Sequence, residues 1–386
     1  MFGFPHWGRM GTGRCRKRQT MWVRNTFDVA VVGGGIAGVS VAAALAAEVS
    51  VVLLERETQL AQHTTGRSAA LYSQTYESPA VQALTRDSWD GFVAASAEAE
   101  VEILVPRPTL WVAAKENTTG LIDMAEASDA LVPVSGDGAR GYCSALRDDW
   151  VAAGAFEDAA CDIDVLALHQ HYVRVGRAHG MEIQTGVPLL SARQRGGTWT
   201  IDVGGDELQA GMIVNASGSW ADKVAVACGI TPLGMAPLRR TAVVARPSGC
   251  EVDPEWPFVI DFGGDFYFRP EGPHIFCSPE DETLSEPCDA RPEELDVAMT
   301  LDRVNAVTTL GLRSVVRAWA GLRTYSPDRL PVIGRDAAED SFLWCAGQGG
   351  FGIMTAPAIS ALCAALALGN VTSDTDFAEQ FSPARF

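Results

Sequence analysis

The sequence predicts a mixed α/β protein in which a parallel, Rossmann-like sheet domain is interleaved with an antiparallel-sheet domain. Three stretches indicate this. Residues 27–55 read as strand, glycine turn, helix and strand. Residues 238–323 alternate strand-like runs with proline-rich turns, which is typical of an antiparallel sheet. Residues 342–346 form another short apolar run, followed by a glycine loop and an alanine-rich helix that return the chain to the first sheet.

Residues 27–55 contain a dinucleotide-binding fingerprint. A buried strand over 27–32 ends at Gly33, Gly35 and Gly38, the G-x-G-x-x-G spacing at the start of a helix. The first glycine permits a tight turn, the second lets a pyrophosphate approach the helix N-terminus, and the third lets the helix pack closely on the sheet. Glu55 ends the second strand 22 residues after Gly33, where a carboxylate can bind a ribose diol.

The remaining elements give the order of the domains. Helices are predicted over 78–95 and 162–180, strands over 181–185, 199–203 and 211–218, and a loop over 133–141. We predict a dinucleotide-binding domain from 27–80, 162–222 and 325–386, and a substrate domain from 81–161 and 223–324. Residues 1–26 are predicted to be a disordered basic extension, with Met21 as an alternative start.

Composition and charge exclude several classes of protein. The chain of 386 residues is 47% hydrophobic and carries a net charge of -18. Six basic residues and no acids lie in 1–26, so the rest carries -24, which disfavours nucleic-acid binding. The nine cysteines form no C-x-x-C pair, which disfavours a disulfide framework, a metal site and a dithiol reductase. No apolar run is long enough to span a membrane, and we expect a cytoplasmic protein.

The segment after the first βαβ unit, residues 63–76, carries polar groups that suit a cofactor phosphate. Thr65 and Ser68 are of N-cap type, and Arg67 can face a phosphate. We therefore expect a loop that enters a helix beside the pyrophosphate. The alternative is a capped surface helix without a ligand.

Five motifs in order resemble the FAD-dependent D-amino-acid oxidase superfamily, and within it the D-arginine dehydrogenases. The resemblance covers the chain from about residue 27 to its end. Besides the glycine fingerprint, its motifs are TGRSAA (65–70), VNASGSW (214–220), AGLRTYSPDRLPVIG (320–334) and GQGGFGIMT (347–355).

The resemblance implies an FAD-binding domain of glutathione-reductase type. The bond to FAD would be noncovalent, because Gly321 stands where covalent-flavin relatives carry a cysteine. The residues expected to hold the ADP half of FAD are Gly33, Gly35, Gly38, Glu55, Arg56 and Ser68, with Val187 at the adenine. Further residues expected to bind the cofactor are Ile36, Ala37, Thr65, Arg67, Ala69, Gly218 and Trp220. Those expected at the flavin ring are Gly350, Gly352 and Ile353, although a glycine loop used only for packing remains an alternative.

The resemblance also implies a site for an amino acid. Arg323 and Tyr267 would bind the substrate carboxylate, because a guanidinium fork matches both carboxylate oxygens. Arg240, Tyr76 and Gln348 match further substrate-contacting positions, although an arginine among apolar residues is otherwise more often a salt-bridge partner.

Two departures from the D-arginine enzymes point to a different substrate. Thr109 replaces the glutamate that binds the substrate guanidinium, and Leu71 replaces a histidine. Phe258 and Ile260 stand at other hydrophobic positions of the pocket. Because an unpaired buried guanidinium is costly, we predict a neutral, apolar or aromatic D-amino acid.

The reaction expected from the resemblance is oxidative deamination, with hydride transfer from the α-carbon to flavin N5 and release of a 2-oxo acid and ammonia. The electron acceptor, whether quinone, another carrier or oxygen, is left open. A glycine or sarcosine oxidase, a 2-hydroxy-acid dehydrogenase and a non-catalytic flavin protein remain alternatives.

Overall fold

The computed structural model describes residues 24–370 and 375–386. Most of the predicted basic extension and Met21 lie outside the described residues. The strands are β1 (Thr26–Val32), β2 (Val51–Glu55), β3 (Leu71–Tyr72), β4 (Leu104–Pro106), β5 (Thr109–Ala113), β6 (Val132–Ser135), β7 (Ala153–Glu157), β8 (Cys161–Ile163), β9 (Glu182–Thr185), β10 (Ser191–Arg195), β11 (Thr198–Asp202), β12 (Glu207–Asn215), β13 (Ala236–Arg246), β14 (Phe258–Asp261), β15 (Tyr267–Glu271), β16 (His274–Ser278), β17 (Thr283–Leu284), β18 (Ser314–Tyr325), β19 (Val332–Arg335), β20 (Phe342–Ala346) and β21 (Gln348–Gly349).

The α-helices of the described residues lie between these strands or follow the last strand. They are α1 (Ile36–Ala46), α2 (Pro79–Asp87), α3 (Trp89–Ala99), α4 (Thr118–Glu126), α5 (Gly136–Tyr142), α6 (Val165–Ala178), α7 (Ala221–Ala227), α8 (Glu294–Val307), α9 (Ala356–Leu368) and α10 (Thr375–Phe381).

The first sheet is built around β1, as the sequence predicts. Its strand order is β10-β11-β12-β1-β2-β9, with β20 parallel to β12 and β19 antiparallel to β20. Strand β1 pairs in parallel with both β2 and β12. Both faces are buried, because Val29 and Val31 enter the core that contains α1 and α9, while Ala30 and Val32 enter the core beneath α7.

The second sheet has ten strands among the described residues. It is mostly antiparallel, as the alternation over 238–323 predicts. Its order is β21-β18-β13-β16-β15-β14-β5-β7-β6, with β17 beside β13, and only β5 and β14 pair in parallel. The long pair β13–β18 carries Arg240 and Arg323. Strand β21 lies against the end of β18, which places the glycine loop beside Arg323.

Two local predictions were wrong. The helix predicted over 78–95 is two helices, because the Ser88 hydroxyl donates to the Leu84 carbonyl and accepts from the Ala358 amide at the start of α9. Residues 133–141, predicted as a loop, form most of β6 and α5, and the Ser135 hydroxyl caps α5. Helices α2 and α3 pack on α9 in the first core, although we assigned residues 81–161 to the substrate domain.

Three negative findings concern the described residues alone. The eight cysteines among them are all free. In the same part of the chain, no group of histidine, cysteine and acidic side chains could hold a metal ion. No helix within residues 24–370 and 375–386 is long and apolar enough to cross a membrane.

Candidate cofactor and substrate site

The glycine turn after β1 is required by close backbone contacts. Gly33 has a φ of +113°, and a Cβ on it would lie 2.4 Å from the Ala216 carbonyl oxygen. A Cβ on Gly38 would lie 1.8 Å from the Gly33 carbonyl oxygen. Gly38 is therefore a packing residue that lets α1 begin beside β1. It does not belong to the lining of either of the two cavities described below.

Glu55 is buried at the end of β2 and faces the same turn. Its Oε2 accepts a hydrogen bond from the Gly34 amide at 2.7 Å, and its Oε1 accepts from the Glu57 amide at 2.8 Å. A carboxylate has about four acceptor positions, so two remain for a ribose diol. The sequence did not reveal His169, whose Nε2 lies 3.0 Å from the Gly34 carbonyl oxygen and supports the turn from α6.

The Thr65 side chain caps helix α1 from a distant part of the sequence. The α1 N-cap, Gly35, has no side chain, and the Thr65 hydroxyl accepts a hydrogen bond from the Ile36 amide at 3.0 Å. The segment 63–76 thus holds the start of α1, where a phosphate would bind.

Two adjoining cavities run from this turn to the second sheet and share Gly35, Thr65 and Gly218. The first cavity, beside β2, is lined by the predicted cofactor residues Gly33, Gly35, Glu55, Arg56, Thr65, Val187, Gly218 and Trp220. The second cavity is lined by the predicted residues Gly35, Ile36, Ala37, Thr65, Arg67, Ser68, Ala69, Leu71, Tyr76, Gly218, Arg240, Phe258, Ile260, Tyr267, Arg323, Gln348, Gly350, Gly352 and Ile353.

Two predicted cofactor residues have partners within the protein. The Val187 amide donates to the Glu55 carbonyl at 2.9 Å, so only its carbonyl is free for an adenine. Arg67 lines the cavity, but its guanidinium donates to the carbonyls of Ala290 and Ala320 and pairs with Asp289. The interpretation that Arg67 faces a phosphate is therefore corrected, since it ties the segment 63–76 to the second sheet.

Arg323 is a partly buried cation that forms no ion pair with any of the described residues. Within residues 24–370 and 375–386, no carboxylate lies within 4.0 Å of its guanidinium, and the Tyr76 hydroxyl lies 3.1 Å from Nη1. A Cβ on Gly350 would lie 2.7 Å from its Cζ, so the glycine loop closes on the guanidinium. Burial by itself lowers the pKa of Arg323, but Tyr76, Tyr267, Tyr325 and Glu280 raise it well above its usual value.

Arg240 also lines the cavity, but it is already neutralised. Its Nη1 lies 3.5 Å from Glu280, its Nη2 lies 3.3 Å from Glu282, and its Nε donates to the Asp281 carbonyl. The salt-bridge alternative therefore describes Arg240, and the expectation that it binds the substrate directly is not supported. Among the three arginines in the described lining of the second cavity, Arg323 is therefore the one without a carboxylate partner.

Beside Arg323 and Arg240, one wall of the second cavity is apolar and aromatic, while Thr64, Thr65, Ser68, Ser219, Thr324 and Gln348 add polar groups elsewhere in the lining. Tyr267, Phe258 and Ile260 lie on adjacent strands, and Phe276 on β16 completes the wall. No sequence pattern indicates Phe276, because the β15–β16 pairing is what brings its ring to 6.0 Å from the Tyr267 ring. Pro287 and Lys223 line the first cavity and were also missed.

Thr109 does not line either cavity, which corrects its assignment to the substrate pocket. It lies on β5 and is fully buried, and its hydroxyl donates to Glu157 Oε2 at 3.1 Å. The β5–β7 register puts Thr109 directly opposite Glu157. Its hydroxyl therefore serves a buried hydrogen-bond network and not a ligand.

A glycine turn, a buried acid beside it and a channel that ends at an arginine fit the class of dinucleotide-dependent enzymes. Residues 28–366 match the model of the DAO family, described as FAD dependent oxidoreductase. The chain belongs to this family of FAD-dependent oxidoreductases.

Known proteins share the fold and part of the sequence. The chain is 26% identical to the bifunctional protein ThiO/ThiG of Synechocystis sp. over 94% of this chain, and it spans 55% of that relative's length. L-proline dehydrogenase from P. horikoshii superposes with a TM-score of 0.83 and 20% identity, covering 94% of this chain and 98% of that one. Glycine oxidase from Geobacillus kaustophilus superposes with a TM-score of 0.81 and 20% identity, covering 94% of this chain and 100% of that one.

The described residues fit FAD. The glycine turn leaves room for a pyrophosphate, Glu55 retains acceptor positions for a ribose, and the channel leads to the glycine loop before α9. FAD is the cofactor of this family. Noncovalent attachment and the likeness to D-arginine dehydrogenases stay predictions.

Proposed function

We propose that the protein catalyses the FAD-dependent oxidative deamination of a D-amino acid with a neutral, apolar or aromatic side chain. The products are a 2-oxo acid and ammonia. The D configuration rests on the resemblance of the motifs, whereas the neutral side chain is supported by the cavity itself.

The observation that carries the proposal is that Arg323 lines a cavity with an aromatic wall and has no ion pair among the described residues. A buried guanidinium is stable only with an anion or with several acceptors, and it matches a carboxylate in a bidentate pair. Tyr76 and Tyr267 lie at the same end of the cavity. A small ligand with one carboxylate complements this arrangement.

The charge of the lining selects against basic substrates. The charged residues among the described lining of the second cavity are Arg67, Arg240 and Arg323, and the first two have protein partners. No aspartate or glutamate belongs to that described lining. A D-arginine or D-lysine side chain would bury a cation without a counter-charge, which costs several kcal/mol. The charge of the cavity lining, and not Thr109, therefore supports a neutral side chain.

The protein side chains bind and orient the substrate. Arg323 holds the carboxylate, and Tyr76 donates a hydrogen bond, since burial raises the pKa of Tyr76 above its usual value and keeps the phenol protonated at neutral pH. Phe258, Ile260 and Phe276 enclose the side chain and exclude water. Bound FAD supplies the hydride acceptor.

The specificity constants of a substrate panel test the proposal. We expect D-phenylalanine and D-leucine to exceed D-arginine and D-lysine by at least about tenfold, since burying one unpaired charge costs more than 1.4 kcal/mol. Ammonia and the 2-oxo acid should form in equal amounts. Preference for basic D-amino acids, for L-phenylalanine or L-leucine, for N-methylglycine or for a 2-hydroxy acid would contradict the proposal.

A further inference from the structure

Glu157 is a fully buried carboxylate at the end of β7 that accepts four hydrogen bonds. Three come from one short segment: the Ser73 hydroxyl, the Gln74 amide and the Thr75 hydroxyl, each at 2.7 Å. The fourth comes from Thr109 at 3.1 Å. Burying a carboxylate is costly unless its acceptor positions are satisfied, and here neutral donors satisfy them.

The bound segment leads directly to the cavity. Tyr76 follows Thr75, lines the second cavity and lies 3.1 Å from the Arg323 guanidinium. Trp111 on β5 strengthens the link, because its Nε1 donates to the Thr75 hydroxyl at 3.1 Å and its ring stacks on Tyr76 with 6.3 Å between centroids.

Segment 73–77 has no helix or strand of its own to fix it. Glu77 has a φ of +68°, a left-handed conformation that costs about 1 kcal/mol for a non-glycine residue. Such a conformation persists only where the surroundings over-determine it. The hydrogen bonds to Glu157, together with the one from Trp111 to Thr75, hold Ser73, Gln74 and Thr75 against the second sheet. On the other side, Gln82 Nε2 donates to the Thr75 and Glu77 carbonyls.

We propose that Glu157 is a positioning residue for substrate binding: it fixes segment 73–75 so that the Tyr76 hydroxyl meets Arg323 at the carboxylate subsite. Thr109 belongs to this anchor. The inference rests on the proposed function, because it assigns Arg323 and Tyr76 to the substrate carboxylate.

A carboxylate matches these neighbours, because the Gln74 amide can only donate and three hydroxyls converge on Oε2. Glutamine at position 157 would keep the volume but place an NH₂ group with two hydrogens where three hydroxyls donate, or where the Gln74 amide donates, so at least one hydrogen bond would be lost. The core around β7 would remain filled. The substitution therefore separates loss of the anchor from loss of packing.

The first test measures the binding of benzoate to the oxidised, FAD-loaded enzyme by flavin difference absorbance. Benzoate is a flat carboxylate with an apolar ring. We expect Glu157→Gln to raise the benzoate Kd about tenfold, and Tyr76→Phe to raise it by a similar factor. Because both changes remove the same contact, the double variant should bind benzoate no more than about twofold more weakly than the weaker single variant. Equal flavin content in all variants shows that the cofactor site is intact.

The second test measures amide hydrogen exchange of peptides that cover residues 73–76. Glu157→Gln should speed their exchange at least about tenfold while peptides from α8 stay unchanged. If Glu157→Gln fails to fold, Thr75→Val and Ser73→Ala take its place. Thr300→Val is the matched control, because it removes a buried hydroxyl that donates only within α8.

The outcomes separate the two proposals. Unchanged exchange over 73–76, or an unchanged benzoate Kd in Glu157→Gln when Tyr76→Phe raises it, would overturn the anchor. Unchanged benzoate binding in both Tyr76→Phe and Arg323→Lys, with exchange faster in Glu157→Gln, would overturn the carboxylate subsite of the proposed function.

Discussion

Replacing Arg323 by alanine should almost abolish substrate recognition. The guanidinium lies beneath Gly350 and has no ion-pair partner among the described residues. Its Nη1 donates to the Tyr76 hydroxyl, and its other donors can meet a substrate carboxylate. Two charge-assisted hydrogen bonds, worth roughly 1.5–3 kcal/mol each, would be lost. A loss of ~3–6 kcal/mol corresponds to a fall in kcat/KM of about 10² to 10⁴.

The assay is steady-state kcat/KM for a neutral D-amino acid, on protein whose flavin content has been measured. Arg323→Lys keeps the charge but loses the planar fork, and should fall between the wild type and the alanine variant. Arg317→Ala is the matched control, because Arg317 lies on the same strand, is exposed and pairs with Glu271. Equal kcat/KM in Arg323→Ala and Arg317→Ala would refute the reasoning.

Three further predictions concern the glycine loop, the cofactor and the C-terminal segment. Gly350→Ala should displace the Arg323 guanidinium and raise KM about tenfold or more while FAD stays bound, and an unchanged KM would show that the loop can move aside. Glu55→Gln should weaken FAD binding to the apoprotein about tenfold, the loss of ~1.4 kcal/mol for one acceptor, as measured by fluorescence titration. Burial opposes ionisation of Asp328, but the Arg385 guanidinium lowers its pKa to about 2. Because its pKa is lower in the folded protein than the unfolded value near 3.9, ionised Asp328 stabilises the fold above that pH, and this stabilisation is lost as the pH falls toward 2. Asp328→Asn should therefore lower the unfolding free energy by up to ~1 kcal/mol at pH 7 but not at pH 2. Urea denaturation at both pH values measures the difference.

Features that depend on neighbouring residues were predictable from the sequence. The G-x-G-x-x-G turn, the strands on either side of α1 and the terminal Glu55 lie within thirty residues, and their spacing reflects the contacts of Gly33 and Gly38. The buried strand β20 was predicted with its observed limits, because a short apolar run bounded by turns is a local signal.

Features that depend on distant pairing were not predictable. Arg67 bonds to Ala290 and Ala320, more than 200 residues away, and no pattern around Arg67 indicates those carbonyls. Thr109 meets Glu157 through the β5–β7 register, 48 residues away. The residues next to a side chain in the sequence therefore predicted which segment lies near the site. The pairing of distant strands determined whether that side chain faces the cavity.

The most direct test of the account is anaerobic reduction of the FAD-loaded enzyme by D-phenylalanine, measured as the loss of the flavin's visible absorbance band. The account predicts rapid bleaching in the wild type, slow or absent bleaching with L-phenylalanine, and a strongly raised half-saturation concentration in Arg323→Ala. Bleaching by N-methylglycine or a 2-hydroxy acid but not by D-phenylalanine would leave the fold and cofactor intact and contradict the proposed substrate. Equal bleaching in wild type and Arg323→Ala would contradict the central role of the arginine.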